Sequence, residues 1–399
     1  MSERKVVLLR YGEIFLKGGN RGFFEKRLVS NAKRAVAQIA GSRIERVHGR
    51  VLAWPPAEGD AADGKKTVRA LERVFGLTSL SPAHVVERDL AAISRAAVEG
   101  ARAEVARRGG KPTFKVETRR ADKRFQPASP EVSRQVGAAI VEALGLPVDV
   151  HAPMFTVGVE IGFEHAFVFA ESVPGPGGLP VGVTGRVELL LSGGIDSPVA
   201  GWMMLKRGCE LGATYFHSFP YTGDQAKEKV ITLARKLAAW QLGDVRLKVV
   251  GFTDVQKALR DASGDGRLAV VLYRRMMLRV AERLARADKA RALVTGEALA
   301  QVASQTLENL GVIGDATRMP MLRPCLGHDK QETIAIARRI GTYDTSILPF
   351  DDCCSLFVPE HPETRAKMED VVACEARVDV EAMADACAGG AELVIARVA

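Results

Sequence analysis

The sequence predicts an α/β protein, a doubly wound parallel sheet preceded by two smaller α+β units. Three observations carry this. Beyond residue 186, short Val/Leu-rich runs at 187–191, 212–216, 245–250 and 291–295 alternate with helical patterns at 198–207, 224–241 and 268–287, as a parallel sheet with helices on both faces requires. Nearer the N-terminus, strand and helix patterns interleave over shorter stretches. Between the two regions stands Pro174-Gly175-Pro176-Gly177-Gly178-Leu179-Pro180, the clearest linker in the chain.

Each element has its own signal. Val6-Val7-Leu8-Leu9-Arg10 opens the first unit (1–64) as a strand, and Phe24, Leu28, Ala32, Ala35 and Ile39 recur at helical spacing within 21–39. Residues 44–54 read as strand, turn and strand around His48-Gly49, and Pro55-Pro56 with the Asp/Gly-rich stretch to Gly64 marks a junction. In the second unit (65–173), helices at 68–75, 90–108 and 130–144 accompany a strand at 113–120 and a hairpin at 156–161 and 166–170. A linker (174–186) leads to the third unit (187–399), whose tail around Cys374 and Cys387 is alanine-rich and reads as helical.

A chain of 399 residues with 47% apolar and 26% charged residues is an ordinary globular protein, long enough for two or three cores. Its formal charge of +8 points to a polyanionic partner. Six cysteines without CxxC spacing argue against a structural zinc site or a disulfide scaffold. No leader pattern and no membrane-length apolar run is evident, so a cytoplasmic protein is expected.

The most informative segment is Leu189-Leu190-Leu191-Ser192-Gly193-Gly194-Ile195-Asp196-Ser197, an apolar strand breaking into a glycine turn that opens a helix at Pro198. Backbone N–H groups and a helix N-terminus aimed at one point hold phosphate. Gly193 and Gly194 remove the Cβ atoms that would block a polyphosphate, and Ser192 and Ser197 add hydroxyls. The loop lacks the Gly-Lys-Ser/Thr ending of a Walker loop. It resembles the SGGxDS loop of ATP pyrophosphatases, which split ATP into AMP and pyrophosphate.

Other strand ends fall on the same rim, where ligands bind in such sheets. Tyr215 and Phe216 close the second strand, as an adenine-stacking edge or as core. Arg274 or Arg275 on a strongly apolar helix could grip phosphates, although a solvated face is the alternative. Gly296, Gln301, Ser304 and Gln305 form a small polar loop suited to a nucleotide. Cys353 and Cys354, beside Asp351 and Asp352, are the one place where thiols look chemical, with a buried inert pair as the alternative. Finally, Lys115, Arg119, Arg120, Lys123 and Arg124 head a basic run between 107 and 134 suited to an RNA backbone.

Together these segments resemble the tRNA uridine 4-sulfurtransferase (4-thiouridine synthetase) family over the whole chain. Arg10 to Arg21 looks like its ferredoxin-like domain, and 65–173, with Glu117 to Lys123, like its THUMP RNA-binding domain. Leu191 to Val199, Tyr273 to Arg279, Val294 to Leu310 and Asp352-Cys353-Cys354 look like its PP-loop ATP pyrophosphatase domain. The resemblance implies that ATP binds at Leu190, Leu191, Ser192, Gly193, Gly194, Asp196, Ser197, Tyr215, Phe216, Arg274, Gly296 and Gln305. It implies Mg²⁺ as a cofactor, with Asp196 as metal ligand or loop-ordering carboxylate, and Asp196, Cys354 and Cys353 as catalytic residues. The reaction implied is adenylation of uridine O4, at position 8 of tRNA in the family, followed by displacement of AMP by sulfur. The match is to the form without a C-terminal rhodanese domain, to which the family's link with thiamine thiazole synthesis attaches. Sulfur is therefore expected from a cysteine desulfurase, a separate persulfide or rhodanese carrier, or sulfide, and a homodimer is expected. Two other readings fit parts of the chain: a ligase acting on a small molecule, and a non-catalytic RNA-binding protein.

Overall fold

Residues 4–47, 50–56, 61–350, 353, 357 and 359–398 are described by the computed structural model. The turn expected at His48-Gly49, part of the junction near 57–60, and Asp351, Asp352 and Cys354 lie outside the described residues. The chain forms two compact units that meet at Leu179 and Pro180.

The first unit runs β1 (Arg4–Tyr11), α1 (Arg21–Ala35), β2 (Arg43–Val47), β3 (Arg50–Trp54), α2 (Ala61–Leu71), β4 (Leu77–Val86), α3 (Leu90–Arg108), β5 (Phe114–Arg120), α4 (Ser129–Leu144), β6 (Phe155–Ile161), β7 (Ala166–Phe169) and β8 (Val173–Pro174). Its strands form one sheet in the order β2-β3-β1-β4-β7-β6-β5, with β8 also on β4. The sheet thus passes through both of the small units expected from the sequence, and residues 64 and 65 fall inside α2. Strand β4 is absent from the pattern-based reading because Pro82 interrupts it, and proline demotes a strand. The sheet accommodates Pro82 simply. On the edge facing away from β1, β4 pairs with β8 only at Ser79 and Leu80 and with β7 only from His84 to Val86. Pro82 sits in the gap.

The second unit runs β9 (Gly185–Leu190), α5 (Asp196–Lys206), β10 (Cys209–His217), α6 (Asp224–Gln241), β11 (Val245–Gly251), α7 (Thr253–Ala262), α8 (Ala269–Ala287), β12 (Leu293–Val294), α9 (Leu307–Gly314), β13 (Met321–Leu322), α10 (Lys330–Arg339), α11 (Tyr343–Ser346), α12 (Met368–Glu375), α13 (Val380–Gly389) and β14 (Glu392–Ala396). The order β13-β12-β9-β10-β11-β14 is parallel throughout except for β14. Helices α5, α6, α10 and α11 pack together in one layer, and α7, α8, α9, α12 and α13 in the other. This is the doubly wound fold the alternation predicts. The tail is helical as expected through α13 but ends in β14, which completes the sheet antiparallel to β11.

The topology positions the site. From β9 the chain steps outward to β10 and β11, then returns across the sheet to β12 on the other side of β9. The carboxyl ends of β9 and β12 therefore flank a switch point, where doubly wound sheets open a crevice. Beneath it lies a core of α8 side chains (Tyr273, Met276, Met277, Val280) packed with Phe216, Phe252 and Leu293.

Candidate nucleotide site

The loop after β9 is held closed by its own serines. Ser197 Oγ accepts the Ser192 N–H at 2.9 Å and lies 3.2 Å from Ser192 Oγ, which accepts the Gly194 N–H at 3.3 Å. Ser346 Oγ donates to the Gly194 carbonyl at 3.2 Å. Ile195, the N-cap of α5, makes no side-chain cap. The first-turn N–H groups of α5 thus lack that partner, and an anion can satisfy them. Gly296, just beyond β12, approaches this turn so closely that a Cβ there would sit 2.5 Å from the Ser197 nitrogen. Its glycine is needed for packing the two loops together, not only for access by a ligand.

These segments enclose a cavity of about 600 Å³, within the range of cofactor pockets. Eleven of the twelve residues expected to contact a nucleotide line it: Leu190, Leu191, Ser192, Gly194, Asp196, Ser197, Tyr215, Phe216, Arg274, Gly296 and Gln305. Gly193 is in the turn but not in the wall. Tyr215 and Phe216 are both buried and serve as core and cavity lining at once. The buried Gln305 leaves its Oε1 without a partner among the described residues.

Arg274 is fixed by Glu297, to which the sequence alone assigns no role, and by Ser304 of the polar loop. Its Nη2 donates to Glu297 Oε1 at 2.6 Å and its Nη1 to Ser304 Oγ at 2.9 Å. Glu297 Oε2 accepts Arg323 Nε at 2.6 Å and Thr295 Oγ1 at 2.8 Å. Burial alone would raise the Glu297 carboxyl, but the two guanidiniums outweigh it and hold it below the ordinary glutamate value. Two arginines against one carboxylate leave one net positive charge beside the cavity. Arg275, the alternative phosphate ligand, is buried elsewhere: its Nε and Nη2 bind Glu375 at 2.8 and 3.1 Å. It ties α8 to α12.

The chain matches three family models: "ThiI ferredoxin-like domain" over 6–81, "THUMP domain" over 87–171 and "Thiamine biosynthesis protein (ThiI)" over 182–380. A probable tRNA sulfurtransferase of Moorella thermoacetica is 46% identical over 97% of each chain. One from Caldanaerobacter subterraneus is 45% identical over 96% of this chain and 97% of its own. The chain belongs to the tRNA sulfurtransferase family. It also superposes on a crystal structure of a 4-thiouridine synthetase–RNA complex with bound ATP, with a TM-score of 0.88, 36% identity, and 98% and 100% of the two chains covered.

In this sulfurtransferase-family chain, Asp196 is fully engaged. Lys330 Nζ reaches its two carboxylate oxygens at 2.9 and 3.0 Å, and Gln301 Nε2 donates to Oδ2 at 3.1 Å. Glu297 is the other acid on the cavity wall among the described residues, and it is bound to two arginines. The donor set that the described residues supply does not fit a resident magnesium. Among the described residues no group of three or more His, Cys, Asp or Glu could hold a metal ion. Lys330 carries a faint sequence signal: it follows Asp329, which forms a capping box with Glu332. That signal locates a helix start but not its neighbour Asp196.

Cys353 is buried in the cavity wall, and its carbonyl accepts Gln256 Nε2 at 2.9 Å. Cys325 lies beside the loop, its Sγ 3.8 Å from the Asp196 carbonyl. Burial, with Asp196 nearby, pushes its thiol up to about 12, so it stays protonated.

The basic run of the first unit divides between the two faces of edge strand β5. Lys115 and Arg119 share a face, and Lys115 pairs with Glu117 at 2.7 Å. Arg120 lies on the opposite face, where it binds the Phe125 and Pro127 carbonyls and Ser129 Oγ and so shapes the loop into α4. Arg124 pairs with Asp122, whose carboxyl Arg124 chiefly holds down to about 2. The cations of the run therefore do not all lie on one face of the strand. Lys111, Arg119 and Lys123 are the exposed members of the run without an ion pair among the described residues. No helix among the described residues is long and apolar enough to cross a membrane.

Proposed function

We propose that this protein is an ATP-dependent tRNA sulfurtransferase that converts uridine, at position 8 as in the family, to 4-thiouridine. One observation carries the reading: eleven dispersed residues, from Leu190 to Gln305, converge on one cavity beneath the N-terminus of α5. ATP lies there with its phosphates at the Ser192–Ser197 turn and its adenosine toward Tyr215 and Phe216. Magnesium enters with ATP as part of the substrate. Uridine O4 attacks the α-phosphorus, the bond to the β-phosphate oxygen breaks, and pyrophosphate leaves against the α5 N–H groups and Arg274. The outer sulfur of a persulfide then adds at C4 and AMP departs. An external thiol cleaves the remaining S–S bond, ending as a disulfide, and frees 4-thiouridine, whereas free sulfide displaces AMP directly. Cys353, in the wall, or its neighbour Cys354 accepts that sulfur from a separate donor. The basic residues around Arg119 and Lys123 hold tRNA.

The test is nucleoside mass spectrometry of tRNA incubated with the purified chain, MgATP and sulfide, beside an assay of pyrophosphate release. Formation of 4-thiouridine, with release stimulated by tRNA, is expected. Stimulation by a small acid or amine but not by tRNA would assign the chain to small-molecule ligation instead.

A further inference from the structure

The short loop that follows β10 exposes two aromatic side chains beside the nucleotide cavity. Phe219 is 62% exposed and Tyr221 50%, although large apolar rings are normally withdrawn from water. The loop backbone is anchored. The Thr222 N–H donates to the Ser218 carbonyl at 2.9 Å, the Ser218 N–H to Thr222 Oγ1 at 3.0 Å, and Thr253 Oγ1 to the Phe219 carbonyl at 2.7 Å. The rings are therefore presented by a fixed support rather than by a loose segment.

Cations flank them. Lys257 Nζ lies 5.3 Å from the Tyr221 ring centre, and the exposed Arg260 is one turn further along α7. Asp261 is the acid facing Arg260, at 3.5 Å. The patch is also joined to the cavity wall. Gln256, the residue before Lys257, bonds both Ser218 Oγ and the carbonyl of Cys353, and Phe216 lines the cavity three residues before Phe219.

We propose that Phe219 and Tyr221 stack the unpaired bases flanking the target uridine, while Lys257 and Arg260 meet the adjoining phosphates. The proposal rests on the tRNA-thiolating reading above. A uridine whose O4 must reach a buried cavity has to leave its helical stack, and the bases beside it lose their own stacking partners. Exposed rings next to cations are how proteins hold unstacked bases without reading their sequence. Acidic or apolar protein partners would not need both rings and cations at this rim.

The experiment uses the full chain, MgATP and unfractionated tRNA, and measures tRNA-stimulated pyrophosphate release together with ATP affinity. Phe219→Ala/Tyr221→Ala is expected to lower kcat/KM for tRNA by roughly tenfold or more, with ATP affinity within about twofold because neither ring lines the cavity and Tyr221 packs instead against Phe357. Tyr221→Phe, which keeps the ring, should retain wild-type stimulation, whereas Tyr221→Ala should lose several-fold. Undiminished stimulation in the alanine variants, or an equal loss in Tyr221→Phe, overturns the proposal. So does a variant that keeps full stimulation but fails to thiolate with a protein sulfur donor, since the patch would then dock that donor. If the wild-type chain itself shows no stimulation by tRNA, the functional reading fails before the patch is in question.

Discussion

Glu297 decides where Arg274 points. The carboxylate contributes no charge to spare, since Arg274 and Arg323 both bind it, so its value lies in orientation. Glu297→Gln removes both ion pairs while keeping one acceptor of similar shape. The wall then becomes more positive, which favours an anionic nucleotide in the ground state, while the guanidinium loses its fixed direction in the cavity wall. Orientation matters more in the transition state than in binding. The expected outcome is a kcat lowered about tenfold or more with KM for ATP changed less than about threefold, measured by steady-state pyrophosphate release. Equal kcat in mutant and wild type would reduce Glu297 to a balancer of buried charge. Gly296→Ala tests the neighbouring position: its Cβ would collide with backbone at Asp196 and Ser197, so nucleotide affinity should collapse in a titration calorimeter while the remaining fold persists.

Helix α8 serves two clients on different faces. Adjacent residues on a helix are separated by about 100° around the axis, so Arg274 faces the cavity while Arg275 faces α12. There Glu375 takes two bonds from Arg275 and two from Arg279. Arg275→Leu removes two of the four bonds while Arg279 keeps the carboxylate paired, and should cost ~1–3 kcal/mol in urea unfolding. Glu375→Leu, which strands both guanidiniums, should cost more. Burial would raise the Glu375 carboxyl, but the two arginines hold it below the ordinary value of 4.5. Its stabilising contribution is thus complete above 4.5 and is lost as pH falls below it, a decline that Glu375→Gln should lack. The same scale shows what the sequence reveals. The strand–turn–helix of β9 and α5 is legible because its signals are local: an apolar run, two glycines, a proline at the helix start. Strand β4 is not, because Pro82 is tolerated only by the gap in its neighbours. Nor is β14, a five-residue strand whose pairing with β11 is tertiary. Lys330 and Asp196 lie 134 residues apart; periodicity says nothing about such pairs.

At the scale of the molecule, the nucleotide chemistry and the basic residues belong to separate compact units. The net charge of +8 is diffuse, and much of the basic run from 107 to 134 is neutralised locally, by Glu104, Glu117, Asp122 and Glu131. What remains for a phosphate backbone is Lys111, Arg119 and Lys123, with Arg120 acting through the loop it holds. Two single-purpose lesions should therefore dissociate. Asp196→Ala frees Lys330 and Gln301 from the loop and should abolish pyrophosphate release, yet leave tRNA affinity within about twofold, because affinity for nucleic acid comes chiefly from phosphate contacts. Arg119→Gln/Lys123→Gln should do the converse: intact ATP binding, weaker tRNA binding, and a slope of log affinity against log salt shallower by roughly one to two. Arg120→Gln should lower stability of the first unit more than it changes that slope, since its hydrogen bonds go to protein carbonyls. Filter binding across a salt series separates these outcomes. Identical slopes for wild type and the Arg119/Lys123 variant would remove β5 and its following loop from the tRNA surface.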